Sequence, residues 1–483
     1  MQTENRMPVK GQPFAHQIRA FDFTLERFGF GTDGRKKSNG VALLMEMGCG
    51  KTLVGIAVSG FLYRSHMSHI GRVLIVCPLS ITDVWKTEYA LFADFPYKLT
   101  ILTGSSDKKK EQILNSRMDT DGSLQILVVN YESAWRLEKE LLDFEPDLVI
   151  CDEGHKIKES HTRQSKAMHH LGDAASWKLL MTGTLITNKE LDVFSQYRFV
   201  NPNIFGTSFY RFRNTFFEMK GYGNHIPVFK KALTDTFLKR MHCIAFRTTK
   251  AECLDLPDIT EEVRQVELEP KAMHVYRELE KESITQLKNS EVSAVNVLTK
   301  LLRLTQITGG FVTDDEGKSI CVSTAKLNAL QDIIESTVND GKKLVVIAHF
   351  VSELDAIQEF LEKKGIRYSV IRGGIRNRDE QIKDFQSDPL VPVFLGQISA
   401  AGLGITLTAA STMCFFSLSY SMSDFEQAKA RIHRAGQKEN CHYIYLIAKN
   451  TVDRKVLRSL RNKTDLAKAL VDDWRSGRNP FSD

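Results

Sequence analysis

The stretch "VALLMEMGCGKTLVGIAVSGFLY", residues 41–63, decides how the chain is read. A short apolar run, Val41 to Met45, leads into a loop with two glycines, a lysine and a threonine. An apolar segment at helical spacing follows. Strand, glycine loop and helix in that order are the context of a phosphate-binding loop, G-x-x-x-x-G-K-[ST]. Gly50, Lys51 and Thr52 stand in their places, but Met45 occupies the position of the first glycine. Gly48 and Gly50 let backbone N–H groups curl around phosphate oxygens, and the helix N-terminus adds its positive dipole end. Lys51 then reaches the β- and γ-phosphates, and the Thr52 hydroxyl holds Mg²⁺. Taken alone, the stretch also fits an ordinary strand–turn–helix with an incidental lysine.

A second stretch, "DLVICDEGH" (147–155), bears on that choice. A buried apolar strand delivers Asp152 and Glu153 to its carboxyl end, where ligands bind in open α/β sheets. Asp152 suits a Mg²⁺ site and Glu153 suits the general base that orients an attacking water. Two adjacent acids can also mark a surface turn. The loop and the acids together point to ATP and Mg²⁺.

"DEGH" resembles the DEAH box of superfamily-two helicases and translocases, in which the loop is commonly shortened to a G-x-G-K-T core. On that resemblance Met45 is a family variant and His155 a coupling residue. "PFAHQIRAFDF" resembles the motif whose glutamine, here Gln17, reads adenine. "LIVCPLSITDVW" resembles a nucleic-acid-contacting motif, which makes Ser80 and Trp85 candidate contacts. "MTGTLITN" resembles the TGTP-x-x-N motif linking hydrolysis to movement through Thr182 and Thr184, with Leu185 in place of proline.

"SDFEQAKARIHRAGQ" (423–437) matches the Q-A-x-x-R-x-x-R-x-G-Q motif of the Swi/Snf family of translocases. Ser423 and Glu426 form a capping-box pattern, Gly436 is a plausible stop, and Gln427, Arg431 and Arg434 fall on one face of the expected helix. A solvated basic face is the ordinary alternative for two such arginines. The resemblance makes Gln427 a nucleotide contact, Arg434 the arginine finger and Arg431 a γ-phosphate or coupling arginine. "SAAGLGITLTAAS" (399–411) resembles a glycine-rich motif between DNA and ribose: Gly402 and Gly404 allow close backbone approach, with Gly404 a candidate nucleotide contact and Thr406 a candidate DNA contact. Arg378, in "YSVIRGGIRNRDEQIKDFQ", is a further candidate for phosphate contact. "TAKLNAL" and "TVDRKVLRSLRNKTDLAKALVDD" match family segments at the start and the close of the second half.

Two halves each alternate short apolar runs with helical patterns, as βαβ units do. The runs are 41–45, 72–78, 125–130, 147–152 and 177–183, then 343–350, 391–397, 412–418 and 443–448. From about 195 to 320 the strand signal fades into a helical pattern rich in Phe, Lys and Arg. The expected fold is therefore α/β: two RecA-like parallel-sheet lobes with helical insertions and an ATP site at the cleft between them. Lobe 1 spans 1–258 with a helical insertion at about 196–250. Lobe 2 spans 259–483 with a helical protrusion at about 266–310 and a closing C-terminal helix. In "FGTSFYRFRNTFF" (205–217) aromatics alternate with arginines, as in a stacking wedge, but aromatics at helical spacing pack inward more often.

The chain has 483 residues and a formal net charge of +6, a mild positive balance that permits a polyanionic partner without requiring one. Eight cysteines form no C-x-x-C pair, no apolar run reaches membrane-spanning length, and the first ten residues lack a signal-peptide core, so a cytoplasmic protein is expected. A monomer is the expected state, though none of these features bears on it. The resemblance implies a bare motor on duplex or branched DNA, tolerant of sequence. It suits fork or junction remodelling by branch migration, or displacement of bound proteins. A strand-separating DNA or RNA helicase shares these lobes, and a non-catalytic scaffold would lack Lys51, Asp152, Glu153 or Arg434.

Overall fold

The computed structural model describes residues 7–66, 70–119, 121–183, 190–220, 226–253, 256–288, 294–313, 319–375, 377–398 and 405–462, with 466, 470, 473, 476 and 479–481 beyond them. The chain divides into two units, Met1–Asp255 and Leu256–Asp483.

The first unit is built on β1 (Gly40–Met45), β2 (Arg72–Cys77), β3 (Tyr97–Ile101), β4 (Leu124–Asn130), β5 (Leu148–Asp152) and β6 (Trp177–Thr182). A hairpin of β7 (Phe217–Lys220) and β8 (Ile226–Phe229) follows, and β9 (Ala245–Thr248) returns to the main sheet. That sheet is parallel throughout, in the order β3-β4-β2-β5-β6-β1-β9. Parallel strands need crossovers, and the crossovers cover both faces. Side chains alternate accordingly: Val41, Leu43 and Met45 enter one core with Val54 and Ile56 of the helix Lys51–Arg64. Ala42 and Leu44 enter the opposite core with Val193 and Tyr197.

The second unit repeats the plan with β10 (Ile259–Val266), the small hairpin β11 (Phe311–Thr313) and β12 (Ser319–Cys321), then β13 (Leu344–Ala348), β14 (Tyr368–Ile371), β15 (Val393–Gln397), β16 (Thr412–Phe415) and β17 (Cys441–Ala448). The parallel sheet runs β10-β17-β16-β13-β15-β14. Val345 and Ile347 face one core, and Leu344, Val346 and Ala348 face the other. Lys326, from "TAKLNAL", and Asp453, from "TVDRK", meet in a buried pair at 2.6 Å. Thr308 Oγ1 and the Ala448 N–H also donate to Asp453. A buried pair is sustained when its remaining lone pairs are satisfied, and removing one partner strands the other charge. This pair fixes the helix Asp453–Arg461 to the helix Ala325–Asn339.

All nine strands expected from apolar runs are present. The segment from 195 to 320 differs from its expected all-helical character. It holds the helices Asp192–Val200, Phe209–Phe216 and Thr234–His242, but also the β7–β8 hairpin, and it supplies β9 and β10 to the two main sheets. Phe205, Phe212, Phe216 and Phe237 pack together with ring centroids 5.2–5.7 Å apart along the closest pairs and are buried, while Tyr210 on the same helix is 68% exposed. Phe205, Phe212, Phe216 and Phe217 therefore form the core of this insertion, with Tyr210 outside it. Among the described residues no helix is long and apolar enough to cross a membrane.

Candidate functional site

Met45 is the last residue of β1 and is fully buried in the core beneath the sheet. A side chain fits at that position because the tight turn begins only after it. The curl runs through Glu46 to Gly50, closed by the Cys49 N–H on the Glu46 carbonyl at 3.1 Å. Gly48 (φ 90°) and Gly50 (φ 72°) both lie in the left-handed region that favours glycine. A Cβ on Gly50 would lie 2.0 Å from the Gln17 Nε2, so the helix Ala15–Phe28 presses its first turn against the loop. Gln17 Oε1 accepts the Phe14 N–H at 2.8 Å, and the His16 Nε2 lies 2.9 Å from the Cys49 carbonyl oxygen. Lys51 opens the next helix, and its Nζ donates to the Met45 carbonyl at 3.0 Å. Thr52, one residue on, is half-buried.

Sheet order brings the acids to this loop. β6 lies between β1 and β5, with Leu44 opposite Thr182 and Asp152 opposite Met181. Thr182, fully buried, thus stands between the loop and the acidic strand end. A Cβ on Gly183 would lie 3.4 Å from the Met47 N and 3.5 Å from the Met45 O, which shows how closely that strand end follows the loop.

Asp152 is 5% exposed. Its Oδ2 accepts the Trp85 indole N–H at 3.0 Å and its Oδ1 accepts the Glu153 N–H at 2.9 Å. Its backbone carbonyl accepts the Tyr131 hydroxyl at 2.6 Å. Burial, and then the charge of Glu153, push the Asp152 carboxyl up to about 7; Lys51, the Glu153 N–H and Trp85 act in the opposite direction. Glu153 takes a left-handed conformation (φ 52°), uncommon for a residue with a Cβ. Its Oε2 lies 3.3 Å from the Nδ1 of buried His155. Strained backbone beside a buried carboxylate is characteristic of functional sites.

Trp85, expected at a nucleic-acid surface, is 1% exposed and serves Asp152 instead, which corrects that assignment. Ser80 is half-buried in the short turn Leu79–Ile81. Arg378 opens the helix Arg378–Ser387 and Thr406 is half-buried. Thr184, Gly402 and Gly404 lie outside the described residues.

The single helix expected over 423–436 is also corrected. The helix is Met422–Lys429, capped by Ser421, whose hydroxyl accepts the Asp424 N–H at 3.2 Å, so Ser423 is not the cap. Arg431 and Arg434 lie beyond its end and do not share a helix face with Gln427. Turns replace the helix because the backbone is engaged elsewhere: the Leu407 N–H donates to the Arg431 carbonyl, and the Gln437 amide to the Ala410 and Ile432 carbonyls. The two arginines converge nonetheless. Arg431 Nη1 and Arg434 Nη1 both donate to the Ile405 carbonyl, at 3.3 and 3.1 Å. Gln427 is buried and donates to the Ser423 hydroxyl at 3.3 Å.

A family model of the SNF2-related domain matches residues 16–309, and one of the helicase conserved C-terminal domain matches residues 325–436. The chain belongs to the SNF2-related family. The loop, the acidic strand end and Trp85 fall in the first match, and the paired arginines in the second. SNF2-family relatives include an uncharacterized ATP-dependent helicase of Mycoplasma genitalium, 28% identical over 90% of this chain and 40% of its own length. The chromodomain-helicase-DNA-binding protein 1-like of Danio rerio is 24% identical over 91% of this chain and 43% of its own. The DNA repair and recombination protein RAD54-like of Gallus gallus is 26% identical over 92% and 66%. The chain spans 40–48% of the length of the first three relatives. A solved Sulfolobus solfataricus SWI2/SNF2 ATPase core in complex with dsDNA is 24% identical, with coverage of 99% of this chain and 96% of that one and a TM-score of 0.46.

Proposed function

We propose that the chain hydrolyses ATP and couples hydrolysis to movement along duplex DNA. The observation that carries the reading is the buried Asp152 at the end of β5, one strand from the Lys51 loop, with Thr182 between them. Gln17 lies against the loop and is proposed to read adenine, and Lys51 exchanges the Met45 carbonyl for phosphate oxygens.

The residues present fit Mg²⁺. Asp152 is a carboxylate whose ionised form is penalised by burial and by Glu153, and a cation beside it relieves both. Among the described residues no cluster of three or more His, Cys, Asp or Glu suits a metal. Mg²⁺ needs no such cluster, since it keeps waters and substrate phosphates and takes one or two protein ligands. Asp152 and the Thr52 hydroxyl would hold it, and the ion would neutralise charge on the phosphates. Glu153 accepts a proton from the attacking water, Arg434 stabilises charge on the transferred phosphoryl, and Arg431 couples the γ-phosphate. Thr182, Thr184 and His155 link hydrolysis to movement.

DNA is the proposed partner because the relatives are named for DNA binding, repair and recombination. Phosphate contacts position without reading sequence, so binding is sequence-tolerant and falls with salt. Ser80, Arg378 and Thr406 are the candidate contacts. The proposed output is remodelling of forks and junctions or displacement of bound proteins. The test compares ATP-driven displacement of a third strand from a triplex, unwinding of a tailed duplex, regression of a replication fork and migration of a four-way junction. Triplex displacement without unwinding supports the translocase. Unwinding alone points to a strand-separating helicase, and inertness on both forks and junctions removes branch migration.

A further inference from the structure

Cys49 and Cys253 are 204 positions apart in the chain, and their sulfurs lie 3.2 Å apart. Sheet register builds this approach. β1 and β9 run parallel with Met45 opposite Thr248. Beyond the strand ends the two segments stay joined, the Glu46 N–H donating to the Thr248 carbonyl at 3.1 Å and the Lys250 N–H to the Glu46 Oε2 at 2.9 Å. Cys49 then sits inside the phosphate-binding loop, between Gly48 and Gly50, and Cys253 ends the short helix Lys250–Cys253. Both are free thiols; Cys49 is buried and Cys253 half-buried.

We infer that Cys49 and Cys253 are a redox pair that forms a reversible disulfide on exposure to a peroxide and thereby closes the loop to nucleotide. The second half of this inference rests on the nucleotide reading above. Cys253 reacts first, because it is the more accessible and because burial pushes the Cys49 thiol up to about 12. The Cys253 thiolate attacks the peroxide, an S–O bond forms as the O–O bond breaks, and an alcohol or water leaves. The Cys49 sulfur then attacks the sulfenic acid, the S–S bond forms, and the departing hydroxide takes the Cys49 proton as water. Two thiols are oxidised by two electrons and one peroxide is reduced.

The bond draws the sulfurs together from 3.2 Å to about 2.05 Å. The glycines on either side of Cys49 are the softest backbone available, so the loop takes up much of the shift. That moves the N–H groups which cradle phosphate, two residues from Lys51.

The test treats the reduced full chain with hydrogen peroxide. A non-reducing peptide map by mass spectrometry is read in parallel with ATP-analogue binding and ATP hydrolysis, before and after dithiothreitol. The expected result is a Cys49–Cys253 linked peptide, loss of binding and hydrolysis together, and return of both on reduction. C253S lies outside the proposed nucleotide contacts, keeps its reduced-state hydrolysis and resists peroxide. Absence of the linked peptide once the exposed Cys243 and Cys321 are oxidised overturns the pair. A linked peptide with unchanged binding, or equal inactivation of C253S, overturns the closing of the loop. A reduced protein that neither binds nor hydrolyses ATP overturns the nucleotide reading, and the peptide map still decides the disulfide.

Discussion

The indole N–H of Trp85 donates to Oδ2 of Asp152 across 3.0 Å, inside the core and beside the acidic end of β5. A hydrogen bond to an ionised group favours the ionised form and is worth roughly 1.5–3 kcal/mol. Asp152 has to be ionised to hold a cation, and its carboxyl stands at about 7. A bound cation lowers that value, so at saturating Mg²⁺ hydrolysis falls on an acid limb below about 7. W85F keeps an aromatic ring in the core but removes the donor. The expected outcome is a pH–rate profile whose acid limb moves up by roughly one unit, equivalent to about 1.4 kcal/mol. An unmoved limb would separate Trp85 from the state of Asp152.

Glu153 is held in a left-handed conformation with its carboxylate beside His155. Glu153→Gln keeps the shape and removes the proposed base. Nucleotide should bind with near-normal affinity and turn over slower by roughly a hundredfold or more. Filter-binding and single-turnover assays separate the two quantities, and wild-type turnover in E153Q would take the base role away from Glu153.

Arg431 and Arg434 share the Ile405 carbonyl. An arginine that acts on charge appearing in the transition state contributes to rate more than to ground-state binding. R434A is expected to lower kcat by roughly three orders of magnitude with little change in nucleotide affinity. R431A retains the Arg434 bond to Ile405 and should lose less. The reverse order of effects would exchange the two assignments.

Glu353 offers a stability test away from the site. Its Oε2 accepts the N–H groups of His349 and Phe350 and the Ser417 hydroxyl, and burial pushes its carboxyl up to about 7. The folded state holds a proton that the unfolded chain releases at its lower pKa. The stabilisation is complete below the unfolded value, about 4.3, and is lost as pH rises through about 7, at up to about 1.4 kcal/mol per unit. Urea midpoints of the wild type should fall between about pH 5 and about pH 8, and E353Q should flatten that fall.

The interior strands were legible because they are short and apolar on both faces: all nine such runs became strands. Strands at or near the sheet margins were not. "YKLTI" in β3 and "YSVI" in β14 are edges, "AFRT" in β9 is four residues long, and "ITEEVRQV" in β10 is mostly exposed. Exposure removes the hydrophobic signal on which such readings depend. In the site, the loop and acids announce themselves through glycines and carboxylates, whereas Trp85 was visible only as an aromatic in a motif. Its burial and its bond to Asp152 come from packing across 67 positions of chain. The arginine segment reads as one helix because its spacing is helical. The tertiary bonds of Leu407 and Gln437 end the helix at Lys429.

The chain is proposed to be an ATP-driven motor on duplex DNA. Steady-state ATP hydrolysis tests it most directly, measured at one fixed salt concentration with no nucleic acid, single-stranded DNA, duplex DNA, a four-way junction and RNA, with K51A as the matched blank. Strong stimulation by duplex or junction DNA is expected, with none in K51A, which should still bind DNA. Stimulation by single strands or RNA alone, or hydrolysis undiminished in K51A, would contradict the proposed motor.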